Sequence, residues 1–152
     1  MKNHELYMKE ALVEAHKASD ADEVPIGAVI VDEHGVIIGR GFNKTEACYT
    51  QTAHAEMEAL KMASSHKKDW RLQGCTLYVT LQPCSMCYSA SALSRITTVV
   101  YGASSPLFGF HLDKDTFLSV YNNDELFLVK GILETECVAL LKQFFRQKRK
   151  EK

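Results

Sequence analysis

The chain has 152 residues, of which 46% are hydrophobic, and its 18 lysines and arginines against 19 aspartates and glutamates leave a formal net charge of −1 at pH 7. A length near 150 residues predicts a single domain spanning residues 1–152. The balanced charge excludes nucleic-acid binding through bulk positive charge, and 8 glycines and 3 prolines without any repeat exclude collagen-like and largely disordered chains.

No secretory or membrane-spanning segment is recognisable in the sequence. Residues 1–5 are mostly polar, and apolar runs such as residues 26–31 are far shorter than the roughly 20 residues that a span needs. Five cysteines without a signal peptide favour the reducing cytosol over a disulfide framework. We therefore expect a cytoplasmic protein with no membrane partner.

Hydrophobic spacing predicts alternating helices and strands. Apolar residues spaced by three and four, such as Met8, Ala11 and Leu12, indicate an amphipathic first helix capped by Asn3. A polar turn ending in Gly35 joins the next two strands in a hairpin. The predicted helices cover residues 3–19, 52–63, 83–93 and the chain from residue 135, and the predicted strands cover residues 26–31, 36–42, 75–81, 97–101 and 126–129.

This order of elements predicts an α/β fold. Strands that alternate with helices favour a central mixed sheet whose two faces are both covered by helices. The assignment is least defined over residues 103–123, where loop signals at Pro106 and Gly109 precede a helical pattern at residues 115–121.

The strongest chemical signal is a pair of half-sites at two predicted helix starts. His54 and Glu56 open one helix, and Cys84 and Cys87 open another directly after a strand. A neutral imidazole and two thiolates suit tetrahedral Zn²⁺, and three protein ligands leave the fourth position for water, which is typical of a catalytic site. Because zinc with two thiolates is formally neutral, it acidifies water weakly, and we interpret Glu56 as the proton shuttle.

Other uses of a Cys-x-x-Cys pair remain open at this point. After a strand and at a helix start, the pair formed by Cys84 and Cys87 is also typical of a thioredoxin-like redox site. A structural zinc ribbon would need a second closely spaced pair, whereas the remaining cysteines are isolated in the sequence. The presence of His54 and Glu56 favours the catalytic metal site.

The chain resembles the cytidine deaminase-like superfamily, whose zinc signature is His-x-Glu followed by Pro-Cys-x-x-Cys. Within it, the sequence is most similar to the bacterial tRNA-specific adenosine deaminases. The stretches that carry this narrower resemblance extend over most of the chain, namely residues 23–29, 41–43, 76–81, 94–96 and 131–146.

The resemblance implies a three-layer α/β/α fold with a central mixed five-stranded sheet. It implies a homodimer that binds one Zn²⁺ per chain and hydrolyses the wobble adenosine of a tRNA anticodon loop to inosine and ammonia, with no DNA partner expected. The implied zinc ligands are His54, Cys84 and Cys87. The implied acid/base is Glu56, while Asn43 contacts the flipped base and Ala55 offers backbone contact beside it.

Several positions depart from the family pattern and keep alternatives open. Gln82 replaces the usual glutamate, Thr50-Gln51 replaces the common Asp-Pro, Ser104-Ser105 replaces an Arg-Asp pair, and residues 122–125 lack the usual Asn-His-Arg. These changes motivate a second hypothesis, a deaminase of a free nucleobase or nucleoside such as guanine, cytosine, cytidine or adenosine. A third is a catalytically silent RNA-binding relative, against which the retained Glu56 argues.

Two further features allow either a structural or an RNA-binding interpretation. Phe108 and Phe110 could stack on a base, although pinning their loop to the core is the favoured interpretation. The basic C-terminal run, residues 142–152, fits either a phosphate-contacting patch or a solvated helix end.

Overall fold

The computed structural model describes residues 3–109 and 126–152. Its helices are α1 (His4–Asp20), α2 (Thr45–Cys48), α3 (Ala55–Lys67), α4 (Ser85–Leu93) and α5 (Glu134–Lys150), and its strands are β1 (Gly27–Val31), β2 (Ile37–Phe42), β3 (Thr76–Leu81), β4 (Thr98–Ala103) and β5 (Phe127–Lys130).

The strands form one five-stranded sheet in the order β2-β1-β3-β4-β5. Strand β1 pairs antiparallel with both β2 and β3, whereas β3, β4 and β5 run parallel. The sheet is therefore mixed, as predicted. Because parallel strands end at the same edge, the segments that follow β3 and β4 leave the sheet side by side.

Helices cover both faces of the sheet, which confirms the predicted α/β class. Every residue of β1 is buried, and its side chains alternate between the two layers. Ala28 and Ile30 pack with α3 in one core cluster, while Val29 and Val31 pack with α1 in the other. Each fully buried Val or Ile side chain contributes about 1.5–3 kcal/mol relative to exposure.

The predicted hairpin between β1 and β2 is confirmed, and local hydrogen bonds define its turn. One carboxylate oxygen of Asp32 accepts the backbone N–H groups of His34 at 2.9 Å and Val36 at 3.0 Å. Gly35 has a φ of +82°, which glycine reaches without steric cost.

Gly41 allows α3 to pack directly on β2. A methyl group at Gly41 would overlap the Ala55 carbonyl oxygen and lie 2.8 Å from the Ala59 nitrogen. Both of these contacts belong to the first two turns of α3. The absence of a side chain at Gly41 therefore sets the position of the helix start.

We expect Gly41→Ala to lower the free energy of unfolding by about 1–3 kcal/mol, because the added methyl overpacks the contact with α3. Urea denaturation measures the change. The exposed Val36→Ala is the control, with an expected effect within about 0.5 kcal/mol. Equal stability of Gly41→Ala and the wild-type protein would contradict the close contact.

Some details differ from the prediction, and some predicted features lie outside the described residues. The short helix α2 was not predicted, because its four residues offer no hydrophobic period. Pro83 precedes the helix, which begins at Ser85 after Cys84 as its N-cap. The helical pattern at residues 115–121 lies outside the described residues, as does Phe110.

In the described part of the chain, none of the helices has both the length and the hydrophobicity that a membrane span requires.

Candidate active site

Two helix N-termini bring the predicted zinc ligands together. His54 is the N-cap of α3 and Cys84 is the N-cap of α4, and both have extended backbone conformations. Cys87 lies in the first turn of α4 and is fully buried. Neither cap residue makes a side-chain capping hydrogen bond, so the positive ends of both helix dipoles favour negative charge at this point.

The distances between the three side chains fit a tetrahedral zinc site. The Nδ1 atom of His54 lies 3.7 Å from the sulfur of Cys84 and 3.4 Å from that of Cys87. Ordinary zinc bond lengths at tetrahedral angles place such nitrogen and sulfur atoms about 3.6 Å apart. The cysteines are free, without a disulfide between them. This trio is the one group of potential metal ligands found in residues 3–109 and 126–152.

The pKa values of the two cysteine thiols shift in opposite directions. The Cys87 thiol, together with His54, lowers the pKa of Cys84 to about 4. The interaction with Cys84, together with burial, raises the pKa of Cys87. Two neighbouring thiolates are therefore unfavourable unless a cation compensates their charge. A divalent cation would hold both sulfurs as thiolates, so the donor set fits zinc.

Glu56 lies beside the sulfurs at the start of α3. Its side chain is 4% exposed, and burial raises the pKa of the carboxyl to about 7. The carboxyl interacts with the Cys87 side chain. It is therefore a buried acid/base adjacent to the cluster and not a member of it.

A cavity of about 490 Å³ opens over the cluster. This volume lies within the usual range of small-molecule sites. Its lining includes His54, Glu56 and Cys84, the predicted Asn43 and Ala55, and residues 104–108. The arrangement can hold a metal ion, a water molecule and a proton-transferring carboxyl at the base of one pocket.

Comparison with known proteins identifies the family of this chain. The family described as "Cytidine and deoxycytidylate deaminase zinc-binding region" matches residues 1–103, which include His54, Cys84 and Cys87. The chain belongs to this deaminase family. It is a zinc-dependent hydrolytic deaminase that binds one Zn²⁺, and the His/Cys/Cys group is the candidate site for that ion.

Relatives within the deaminase family are similar over most of their length. A tRNA-specific adenosine deaminase of Bacillus subtilis is 46% identical, covering 100% of this chain and 94% of the relative. A structure from a study of tRNA:A34 deaminases, which perform A-to-I editing at the wobble position, has 37% identity and a TM-score of 0.79, covering 90% of this chain and 99% of that one. A Bacillus subtilis guanine deaminase structure has 29% identity and a TM-score of 0.63, covering 80% and 92%.

The predicted substrate-contacting residues both lie at the deaminase pocket. Asn43 is 5% exposed and its Nδ2 donates to the Val24 carbonyl at 3.4 Å. In the described part of the chain, its Oδ1 has no hydrogen-bond partner. Such an acceptor costs about 1–3 kcal/mol until a donor reaches it. Ala55 is fully buried at the first position of α3, so only its backbone is available to a ligand.

Gln82 holds one wall of the pocket, a role that the sequence analysis missed. Its Oε1 accepts the Ser105 backbone N–H at 2.9 Å, and its side chain packs against Gly109. In the sequence, Gln82 stands out only because it replaces the usual glutamate of the family pattern. No local sequence signal identifies this contact, because Gln82 and Ser105 are 23 residues apart.

The sequence also does not predict the structural role of Glu23 near the site. It is 2% exposed and accepts the backbone N–H groups of Glu46 at 3.0 Å and Ala47 at 2.7 Å. These bonds fix the start of α2, shortly after Asn43. No local sequence signal identifies this contact, because the partners are 23 and 24 residues away.

Phe108 does not pin its loop to the core, so the favoured interpretation is wrong for this residue. Its side chain is 78% exposed at the pocket lining, and the neighbouring Leu107 is 87% exposed. The Gln82 bond to Ser105 fixes the loop instead. The departures at residues 122–125 lie outside the described residues.

Proposed function

We propose that this protein hydrolyses the wobble adenosine of a tRNA anticodon loop to inosine and releases ammonia. The observation that carries the proposal is the His54, Cys84 and Cys87 cluster beside buried Glu56. The chain that bears this cluster is 46% identical, over its whole length, to a tRNA-specific adenosine deaminase.

The assigned roles follow from the chemistry of each side chain. Zinc bound at a site with three protein ligands supplies Lewis acidity and makes hydroxide available near neutral pH. Glu56 takes a proton from the water whose oxygen bonds to C6 and passes this proton to a ring nitrogen of adenine. It then takes the second proton, from the new C6 hydroxyl, and gives it to the departing amine. One water is consumed, the C6–N bond breaks, and inosine and ammonia result.

Base recognition is assigned to Asn43 and Ala55. The buried Oδ1 of Asn43 has no partner in the described chain, and a base N–H would relieve that cost. Ala55 offers only backbone contact because its side chain is fully buried. These roles need a base extruded from its stack into the pocket.

A basic groove beside the pocket supports an RNA substrate over a free base. The groove shares Ser104, Leu141 and Phe145 with the pocket and continues along α5. It also contains three cationic side chains, Lys142, Arg146 and Arg149. In the described residues, the α5 ion pairs are made by Lys148, so these three cations are available to phosphates. A free nucleobase has no group to occupy the groove.

The remaining features of the proposal concern assembly and compartment. We infer a homodimer, since α4 carries apolar side chains on one face: Leu93 is 45% exposed and Met86, seven residues earlier, is half-buried. We also infer a cytoplasmic location, because tRNA is found there and the five cysteines are free. A single domain over residues 1–152 stays our prediction.

The deciding experiment compares substrates on the zinc-loaded protein. We expect ammonia release and inosine formation from an anticodon stem-loop with adenosine at the wobble position, and none from free guanine, cytidine or adenosine. A stem-loop with guanosine at that position is the substrate control, and Glu56→Ala is the enzyme blank.

Two other substrate patterns would contradict the proposal. Consumption of guanine while the stem-loop stays intact would overturn the proposal and support the alternative, which the likeness to guanine deaminase motivates. No reaction with any substrate by zinc-loaded protein would support the catalytically silent alternative.

A further inference from the structure

Gln51 makes a hydrogen bond to the far side of the His54 ring. The Oε1 atom of Gln51 lies 3.3 Å from the Nε2 atom of His54. The other ring nitrogen, Nδ1, faces the sulfurs of Cys84 and Cys87. The two nitrogens of the ring therefore contact different partners, Nε2 the amide of Gln51 and Nδ1 the two sulfurs.

The chemistry of an amide oxygen decides which ring nitrogen carries the proton. Because the oxygen can only accept, the proton must lie on Nε2, which leaves the Nδ1 lone pair free for a cation. The reversed amide would direct an N–H group at Nε2 and require the proton on Nδ1, which would block metal binding. Only the observed orientation agrees with Nδ1 as the ligand.

The turn that carries Gln51 is ordered by its own hydrogen bonds. The hydroxyls of Thr50 and Thr52 are 3.0 Å apart, and the Thr52 N–H donates to the Thr50 hydroxyl at 3.2 Å. The Ala53 N–H donates to the Thr50 carbonyl at 3.3 Å. The side chain of Gln51 is thus presented to His54 by a defined backbone.

We propose that Gln51 is a positioning residue for the zinc site, acting through His54 and not on the reacting atoms. It selects the tautomer and fixes the direction of the imidazole, so that the zinc ion dissociates slowly. Partners of this kind change metal affinity by about 10–100-fold. Because Gln51 is exposed at the pocket edge, we expect the lower end of that range.

Zinc release tests the proposal without any substrate. Zinc-loaded wild-type protein, Gln51→Ala and Gln51→Glu are mixed with excess chelator, and the release rate is recorded. We expect Gln51→Ala to lose zinc about tenfold faster. Gln51→Glu should release zinc no faster than wild type, because a carboxylate is a stronger acceptor. Gln73→Ala, at an exposed glutamine outside the pocket, should release zinc at the wild-type rate.

A spectroscopic measurement separates tautomer selection from a packing effect. In nitrogen-15 NMR of the zinc-loaded protein, the His54 Nε2–H proton should exchange slowly with water in wild type and Gln51→Glu, and faster in Gln51→Ala. Unchanged zinc release from Gln51→Ala would overturn the proposal. So would a Gln51→Glu variant that loses zinc as fast as Gln51→Ala. Neither result depends on which substrate is deaminated.

Discussion

Replacing Glu56 with glutamine is expected to reduce deamination by about 10²–10⁴-fold while the protein retains one zinc per chain. The carboxyl is buried beside the cluster, and it is not one of the three grouped ligands. Glutamine has nearly the same shape as glutamate, but its amide cannot accept and return a proton. Single-turnover rates on the anticodon stem-loop, with zinc measured by elemental analysis, check both parts of the expectation.

Glu58→Gln is the matched control for this variant. Glu58 belongs to the same helix but does not line the pocket, and its carboxylate lies 3.4 Å from the ammonium group of Lys61. The same chemical change at this position should leave both rate and zinc content near wild type. Loss of zinc from Glu56→Gln would contradict the assigned role, since it would make Glu56 a ligand.

Replacing Cys87 with alanine is expected to abolish zinc retention together with activity. The change removes one of the three proposed ligands at a fully buried position, so the remaining His54 and Cys84 cannot complete the site. Because zinc binds the folded chain, its loss should also lower the thermal midpoint of unfolding. Zinc per chain after desalting and a thermal melt measure the two effects.

Cys48→Ala controls for the general effect of removing a thiol. Cys48 is an exposed free cysteine in α2, outside the cluster. We expect full zinc content and an unchanged melt for this variant. A Cys87→Ala protein that kept stoichiometric zinc would show that the metal is held elsewhere.

Comparing Glu56→Gln with Cys87→Ala separates two functions of the site. The expected pattern is metal without chemistry for Glu56→Gln and neither for Cys87→Ala. This pattern distinguishes proton transfer from metal binding, which substrate kinetics on either variant alone would not do.

Local patterns predicted most of the fold because they reflect short-range physics. The spacing of Met8, Ala11 and Ala15 predicted α1, and all three side chains are fully buried against the sheet. The polar turn before β2 was predictable because Asp32 and Gly35 satisfy their backbone requirements locally. Helix α2 escaped prediction because its four residues offer no hydrophobic period and its start depends on Glu23. The Glu23 carboxylate is distant in the sequence and accepts N–H groups of the first turn.

The sequence by itself determined the donor chemistry, since one imidazole and two thiols at helix starts suit a single divalent ion whatever the details of packing. Only the tertiary structure decided what surrounds that ion. Gln82 reaches Ser105, 23 residues away, because β3 and β4 pair in parallel and place Leu81 opposite Ala103. Exposure of Phe108 and the unpartnered oxygen of Asn43 within the described chain likewise depend on neighbours that meet only after folding. Short-range sterics and periodicity are encoded residue by residue, whereas contacts across the sheet arise from strand order, which no local pattern specifies.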